Sequence, residues 1–222
     1  MSNQKHQLSR ICVLGAQGKI EVLVGRPSTT VVGVAIVCHP HPLLGGSAEH
    51  KVPVTIARTL QNSGYMTYRP NFRGVGNSEG VHDYGNGESE DILNLVDYIC
   101  KEHPDTPLLL AGFSFGTYVM LKVARDLKHK NIKLQGVILS GLAVGPVAQG
   151  RCYQPEDVDV DSIIIHGAKD NIVPLQSVLD WAEMQKLPVQ VIPGSDHFFT
   201  GKLDMLATVI LDKLALIKLK GG

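Results

Sequence analysis

A serine hydroxyl is a weak nucleophile, so the first question is whether the chain places one where it could be activated. Gly112-Phe113-Ser114-Phe115-Gly116 follows the apolar run LLLA and precedes a segment with helical spacing. In a G-x-S-x-G sequence between a buried strand and a helix, the serine occupies a sharp turn that lifts its hydroxyl above the sheet. The glycines leave room for neighbouring chain, and the helix start brings a positive dipole end toward developing negative charge. The same residues could also form a simple serine cap on a tight turn, so partners are needed. Of nine histidines, His197 follows the last apolar run, in VIPGSDHFF, where it can reach back as a general base. The base needs an acid to orient it, and Asp170 follows the preceding run, in IIIHGAKDNIVP. Asp157, Asp159 and Asp161 lie before that run, at its wrong end, and Asp196 is too close in sequence to face His197. Ser114 as nucleophile, His197 as base and Asp170 as orienting acid would together attack a carbonyl carbon.

Such an attack creates an oxyanion, and each donor aimed at it is worth about 10²–10³ in rate. The N–H of Phe115 is the first candidate. The second should come from the loop His39-Pro40-His41-Pro42-Leu43-Leu44-Gly45-Gly46-Ser47. Prolines have no N–H, which points to Leu43, with Leu44 as the lesser choice. Leu44, Phe113, Phe198 and Phe199 are expected to form an apolar acyl pocket together with Leu43 and Phe115. His39 and His41 have an H-x-H spacing, but no acid or cysteine accompanies them at ligand spacing, so no metal site is expected. The loop Asn71-Phe72-Arg73-Gly74-Val75-Gly76-Asn77-Ser78-Glu79-Gly80 is rich in glycine, yet it lacks the pattern of a phosphate loop. Its Arg73 either braces the surrounding loops or is an exposed turn residue. His166 reads as a hydrogen-bonded structural histidine at a strand end.

The elements that must hold these residues are legible from apolar periodicity. Short β-branched runs at 21–24, 31–38, 108–111, 136–139, 162–166 and 189–192 read as strands, with a further one at 65–69. All but the first of the six are apolar enough to be buried on both faces. Helical spacing appears at 52–62, 88–102, 115–128, 175–186 and 203–218. Strands alternating with helices imply an α/β fold with a mostly parallel sheet covered on both faces, after an antiparallel start. Sites in such sheets form at the carboxyl ends of the strands, where Ser114, Asp170 and His197 all fall.

The chain has 222 residues, 44% hydrophobic and 19% charged, which fits one domain over 1–222. Its formal net charge is zero, so neither nucleic acid nor an anionic membrane is expected as partner. Four cysteines without CxxC spacing read as small core residues in a reducing compartment. The polar first ten residues are expected to be flexible, and no apolar run has the length of a signal peptide core or membrane span, so a cytoplasmic location is expected.

Taken together, HPHPLLGG, NFRGVGNSEG, GFSFG, HGAKDNIVP and GSDHFF resemble a small bacterial branch of the α/β-hydrolase superfamily, related to dienelactone hydrolases and acyl-peptidase-like hydrolases. The resemblance spans roughly residues 20–215 and implies the fold and the Ser114, Asp170, His197 triad. Dienelactone hydrolases carry a cysteine where this chain has Ser114, which favours ordinary ester chemistry. Only about twenty residues separate the strands at 136–139 and 162–166, too few for a large helical cap. An open cleft would suit small acyl esters, hydrolysed without a cofactor. A peptidase on the same groups, a silent binding module with this fold, and acyl transfer to another alcohol are the competing readings.

Overall fold

An antiparallel hairpin opens the molecule, and strands and helices alternate after it. The computed structural model describes residues 7–158 and 160–220, with side chains through 215. Numbered in chain order, β1 (Leu8–Gly15) and β2 (Gly18–Gly25) form the hairpin. They are followed by β3 (Gly33–Cys38), α1 (Lys51–Asn62), β4 (Tyr65–Pro70), α2 (Asn86–Glu102) and β5 (Leu108–Phe113). Next come α3 (Phe115–His129) and β6 (Leu134–Ser140), then the short hairpin β7 (Gly145–Val147) and β8 (Arg151–Tyr153). The chain closes with β9 (Ser162–Gly167), α4 (Leu175–Met184), β10 (Val189–Ile192) and α5 (Leu203–Lys220).

Eight strands form one sheet in the order β1-β2-β4-β3-β5-β6-β9-β10. From β4 to β10 the neighbours are parallel, because each connection crosses back through a helix or long loop. Side chains alternate between two apolar layers with the period of a strand: Leu108 and Leu110 face one, Leu109, Ala111 and Phe113 the other. Helices α2, α3 and α4 pack in the first layer, α1 and α5 in the second. This is the α/β-hydrolase fold without a lid domain.

The differences from the sequence reading have local causes. Leu8–Arg10, expected within a flexible start, pair with Leu23–Gly25 as the beginning of β1; residues 1–6 lie outside the described residues. Strand β1 escaped notice because it is an edge strand with one face to solvent and only Val13 and Gly15 buried. Strand β10 is not buried on both faces either, since it closes the opposite edge and leaves Val191 exposed. Val31 and Val32 stay outside β3 and are exposed. Of the four cysteines only Cys38 is a core residue; Cys12, Cys100 and Cys152 are exposed free thiols. Among the described residues, no helix is long and apolar enough to cross a membrane.

Candidate active site

Strand pairing brings the loop ends together. Cys38 lies beside Gly112, Phe113 beside Ser140, and Gly167 beside Ile192, so five strands deliver their following loops to one edge. At the end of β5 the backbone turns through Ser114, held at φ 54° and ψ −124°, a conformation that costs a non-glycine residue of order 1–3 kcal/mol. The Ser114 N–H donates to the Ser140 carbonyl at 3.0 Å, pinning the turn. A Cβ at Gly112 would lie 2.5 Å from the Gly116 backbone, and one at Gly116 would lie 2.6 Å from the Cys38 carbonyl oxygen. Both glycines are therefore required by contact, as the spacing implied.

His197 Nε2 lies 2.9 Å from Ser114 Oγ, and His197 Nδ1 lies 2.6 Å from Asp170 Oδ2. The three side chains form one hydrogen-bonded chain under the cleft, with His197 buried. The loop carrying His197 rests on the loop carrying Asp170: the Lys169 N–H donates to the Ser195 carbonyl at 2.8 Å. A Cβ at Gly167 would strike the Ser195 and Asp196 carbonyl oxygens at 2.6 Å. Asp196 turns away and accepts the Thr200 N–H at 2.8 Å. Asp157 instead accepts from Gln185 Nε2 at 2.6 Å, and Asp159 lies outside the described residues.

Asp170 is surrounded by donors. Its Oδ1 accepts the N–H groups of Ile172 at 2.9 Å and Val173 at 2.8 Å, and its Oδ2 also lies 3.1 Å from His166 Nε2. Burial pushes the carboxyl pKa up, but the bonds from His166, His197 and Val173 outweigh it and hold it well below the usual carboxylate range. His166 Nε2 faces two acceptors, Asp170 and the Val173 carbonyl at 3.1 Å, so that nitrogen carries the proton. Its support of Asp170 went unread in the sequence, where its place four residues before Asp170 was the available signal.

The loop after β3 differs from expectation. Leu43 sits in a short 3₁₀ turn, Pro42–Leu44, is 70% exposed and does not line the cleft. Pro40 and His41 do line it, and the His41 N–H has no acceptor among the described residues. The Leu43 N–H meets no described acceptor either, but His41 lines the cleft and Leu43 does not, so His41 joins Leu43 as a candidate for the second donor. Phe115 begins α3 with an N–H that likewise meets no described acceptor. His39 is buried, accepts the Phe72 N–H at 2.9 Å through Nε2 and contacts the Pro40 carbonyl through Nδ1 at 2.6 Å. Burial pushes its pKa down to about 3, which keeps it a neutral loop brace. Burial, with His82 and Arg151 nearby, pushes His41 down to about 4. Arg73 is fully buried, its Nε donating to Asp91 Oδ2 at 2.8 Å and its Nη2 to the Gly87 carbonyl at 2.7 Å, so the bracing alternative holds. Among the described residues, no three His, Cys, Asp or Glu side chains are grouped to hold a metal ion.

A small cleft, open to solvent, lies above Ser114. Leu44 and Phe198 line it as expected, but Phe113 and Phe199 do not. Phe113 is wholly buried behind the site, its ring 5.1 Å from that of His197, and Phe199 packs into the layer of α1 and α5. The alternation of the strand and the turn after His197 send these two rings inward. The Phe115 ring is also core, packed against His41 at 5.0 Å. In their place His50, Ile172 and Arg151 complete the wall. Arg151 lies in the stretch 142–153, which the sequence reading allowed as a partial roof, but nothing there foretold the β7–β8 hairpin or singled out the arginine.

A family model described as "Serine aminopeptidase, S33" matches residues 42–156, a stretch that holds Ser114 but ends before Asp170 and His197. The chain is 32% identical to a solved α/β serine hydrolase without lid from Xanthomonas campestris, with 94% of each chain covered and a TM-score of 0.83. A solved α/β serine hydrolase homologue from Coxiella burnetii is 33% identical, covering 96% of this chain and 98% of that one at a TM-score of 0.83. A Rickettsia prowazekii protein described as uncharacterized is 29% identical over 212 residues, 92% of this chain and 87% of that protein.

Proposed function

The chain belongs to the family of α/β serine hydrolases without lid, and on that premise we propose that it is an esterase acting on small acyl esters through Ser114, His197 and Asp170. The observation that carries the reading is the unbroken chain of hydrogen bonds from Asp170 through His197 to a serine held in a strained turn at the floor of an open cleft. In the proposed reaction His197 Nε2 takes the Ser114 proton as Oγ attacks the ester carbonyl carbon. The N–H groups of Phe115 and His41 hold the oxyanion, in the manner that makes such preorganised donors effective. Collapse expels the alcohol, which takes its proton from His197, and leaves the acyl group on Ser114. Water, deprotonated by His197, then attacks the acyl-enzyme and releases the acid. The reading needs no cofactor, nucleic acid or membrane, and its proposed setting is the cytoplasm.

The description of the matched family as a serine aminopeptidase is the specific ground for a second reading, amide cleavage by the same groups. An aminopeptidase must hold a substrate ammonium, which calls for a carboxylate in the cleft. Among the described residues the lining includes Arg151 and no carboxylate, so the ester reading is preferred. The test is labelling with a fluorophosphonate, followed by intact mass and by hydrolysis of 4-nitrophenyl acetate. Wild type should gain one adduct, and Ser114→Ala should gain none and lose at least about 10³-fold in kcat/KM. A folded wild type that neither labels nor turns over would refute the reading.

A further inference from the structure

Between β6 and β9, where a lid would be inserted, the described residues form no larger element than the β7–β8 hairpin. Gln149 at φ 67° and Gly150 at φ 72° close its turn, and the Ala148 N–H donates to the Ile172 carbonyl at 2.9 Å, docking the hairpin on the loop after Asp170. Arg151 opens the returning strand and puts its side chain in the wall of the cleft that has Ser114 at its floor. Its guanidinium is held without being neutralised. Nη1 donates to Tyr153 Oη at 3.3 Å and Nη2 to the Ala148 carbonyl at 3.2 Å, while Nε is buried with no partner. No carboxylate among the described residues pairs with Arg151. The arginines 73 and 125, by contrast, each have an acidic partner.

Nη1 and Nη2 each keep a second N–H with no described acceptor, and a planar fork of such groups suits a carboxylate best. Among the described residues, Arg151 is the single permanently charged side chain lining the cleft, and the other polar side chains there are the histidines 41, 50 and 197 and Ser114. A neutral acyl ester would bury this charge without compensation. An ester carrying its own carboxylate would complete it and be oriented by it over Ser114.

Resting on the esterase reading, we propose that Arg151 is a specificity-determining residue and that the substrate is a small ester bearing a carboxylate a few bonds from the scissile carbonyl. The position of the carboxylate, on the acyl or the alcohol side, is an outcome of the test. Two matched pairs separate the cases: mono-4-nitrophenyl glutarate against 4-nitrophenyl pentanoate, and 4-acetoxybenzoate against 4-acetoxybenzamide.

In wild type, the anionic member of at least one pair should have the higher kcat/KM, by about tenfold or more, through a lower KM. Arg151→Met should cut that ratio by about 10- to 100-fold, and Arg151→Lys should retain part of it. Wild type alone also decides, since free glutarate should inhibit competitively where glutaramide does not. Equal handling of both members of both pairs, with no inhibition by glutarate, overturns the proposal. If Ser114 labels and 4-nitrophenyl acetate is hydrolysed without any anion preference, the inference about Arg151 fails and the esterase reading stands. If Ser114 does not label at all, both fall together.

Discussion

Asp170 shows how much of the site depends on one side chain's surroundings. All four of its described contacts are donors: His197, His166 and the N–H groups of Ile172 and Val173. An amide in its place would turn an NH₂ toward one pair of these donors and lose the charge that steadies His197. Asp170→Asn should therefore keep the fold but lower kcat by about 10³–10⁴-fold on any ester that wild type turns over. Steady-state kinetics beside a circular dichroism spectrum would check it, and a loss under tenfold would mean that Asp170 does not orient the base. The residue types and chain order that single out Ser114, Asp170 and His197 could be read in the sequence, because each follows an apolar run. The donors around Asp170 could not, since they come from a turn whose shape only the folded chain has.

At the scale of elements, the contact between the start of α3 and the end of β3 sets the geometry of the proposed oxyanion pocket. Gly116 abuts the carbonyl oxygens of Cys38 and His39, at 2.6 and 2.7 Å from where a Cβ would stand. A methyl group there would push the N–H of Phe115 away from that of His41. Gly116→Ala is expected to cost about 1–3 kcal/mol of stability, as overpacking does. It should also lower kcat of the remaining folded protein by about 10²-fold, the worth of one misplaced donor. Urea denaturation and kcat together test this; a variant as stable and active as wild type would place the strain elsewhere. The glycine spacing announced the turn in the sequence. The 3₁₀ turn that exposes Leu43 did not announce itself, so the proline count alone could not point to His41 as a second candidate.

Across the whole molecule, burial of neutral histidines couples the site loops to pH. His39 is fully buried with its pKa pushed down to about 3, against about 6.5 for an unfolded histidine. Below about 6.5 the unfolded chain therefore binds a proton that the folded chain refuses, and stability falls by about 1.4 kcal/mol per pH unit toward the folded value. Asp170 adds to the loss lower down: its depressed folded pKa contributes stability above about 4 that disappears as the carboxyl protonates. The urea midpoint should drop between pH 7 and pH 5, and His39→Gln should flatten that slope. A midpoint independent of pH in this window would show that His39 takes up its proton equally in the folded and unfolded states, and the burial argument would fail.

The sequence by itself determined the alternation of strands and helices, the parallel sheet, and the three residues that follow its strands. Periodicity and local chemistry are properties of neighbours along the chain, and they survive without tertiary contacts. Only the folded molecule decided that β1 and β10 are edges, that Phe113 and Phe199 face inward, and that His166 supports Asp170. It also brought Arg151 to the cleft on a hairpin of three-residue strands, too short for any periodic signal to reveal. Which side of a loop faces a cavity depends on what packs beneath it, and that information is distributed over the whole chain.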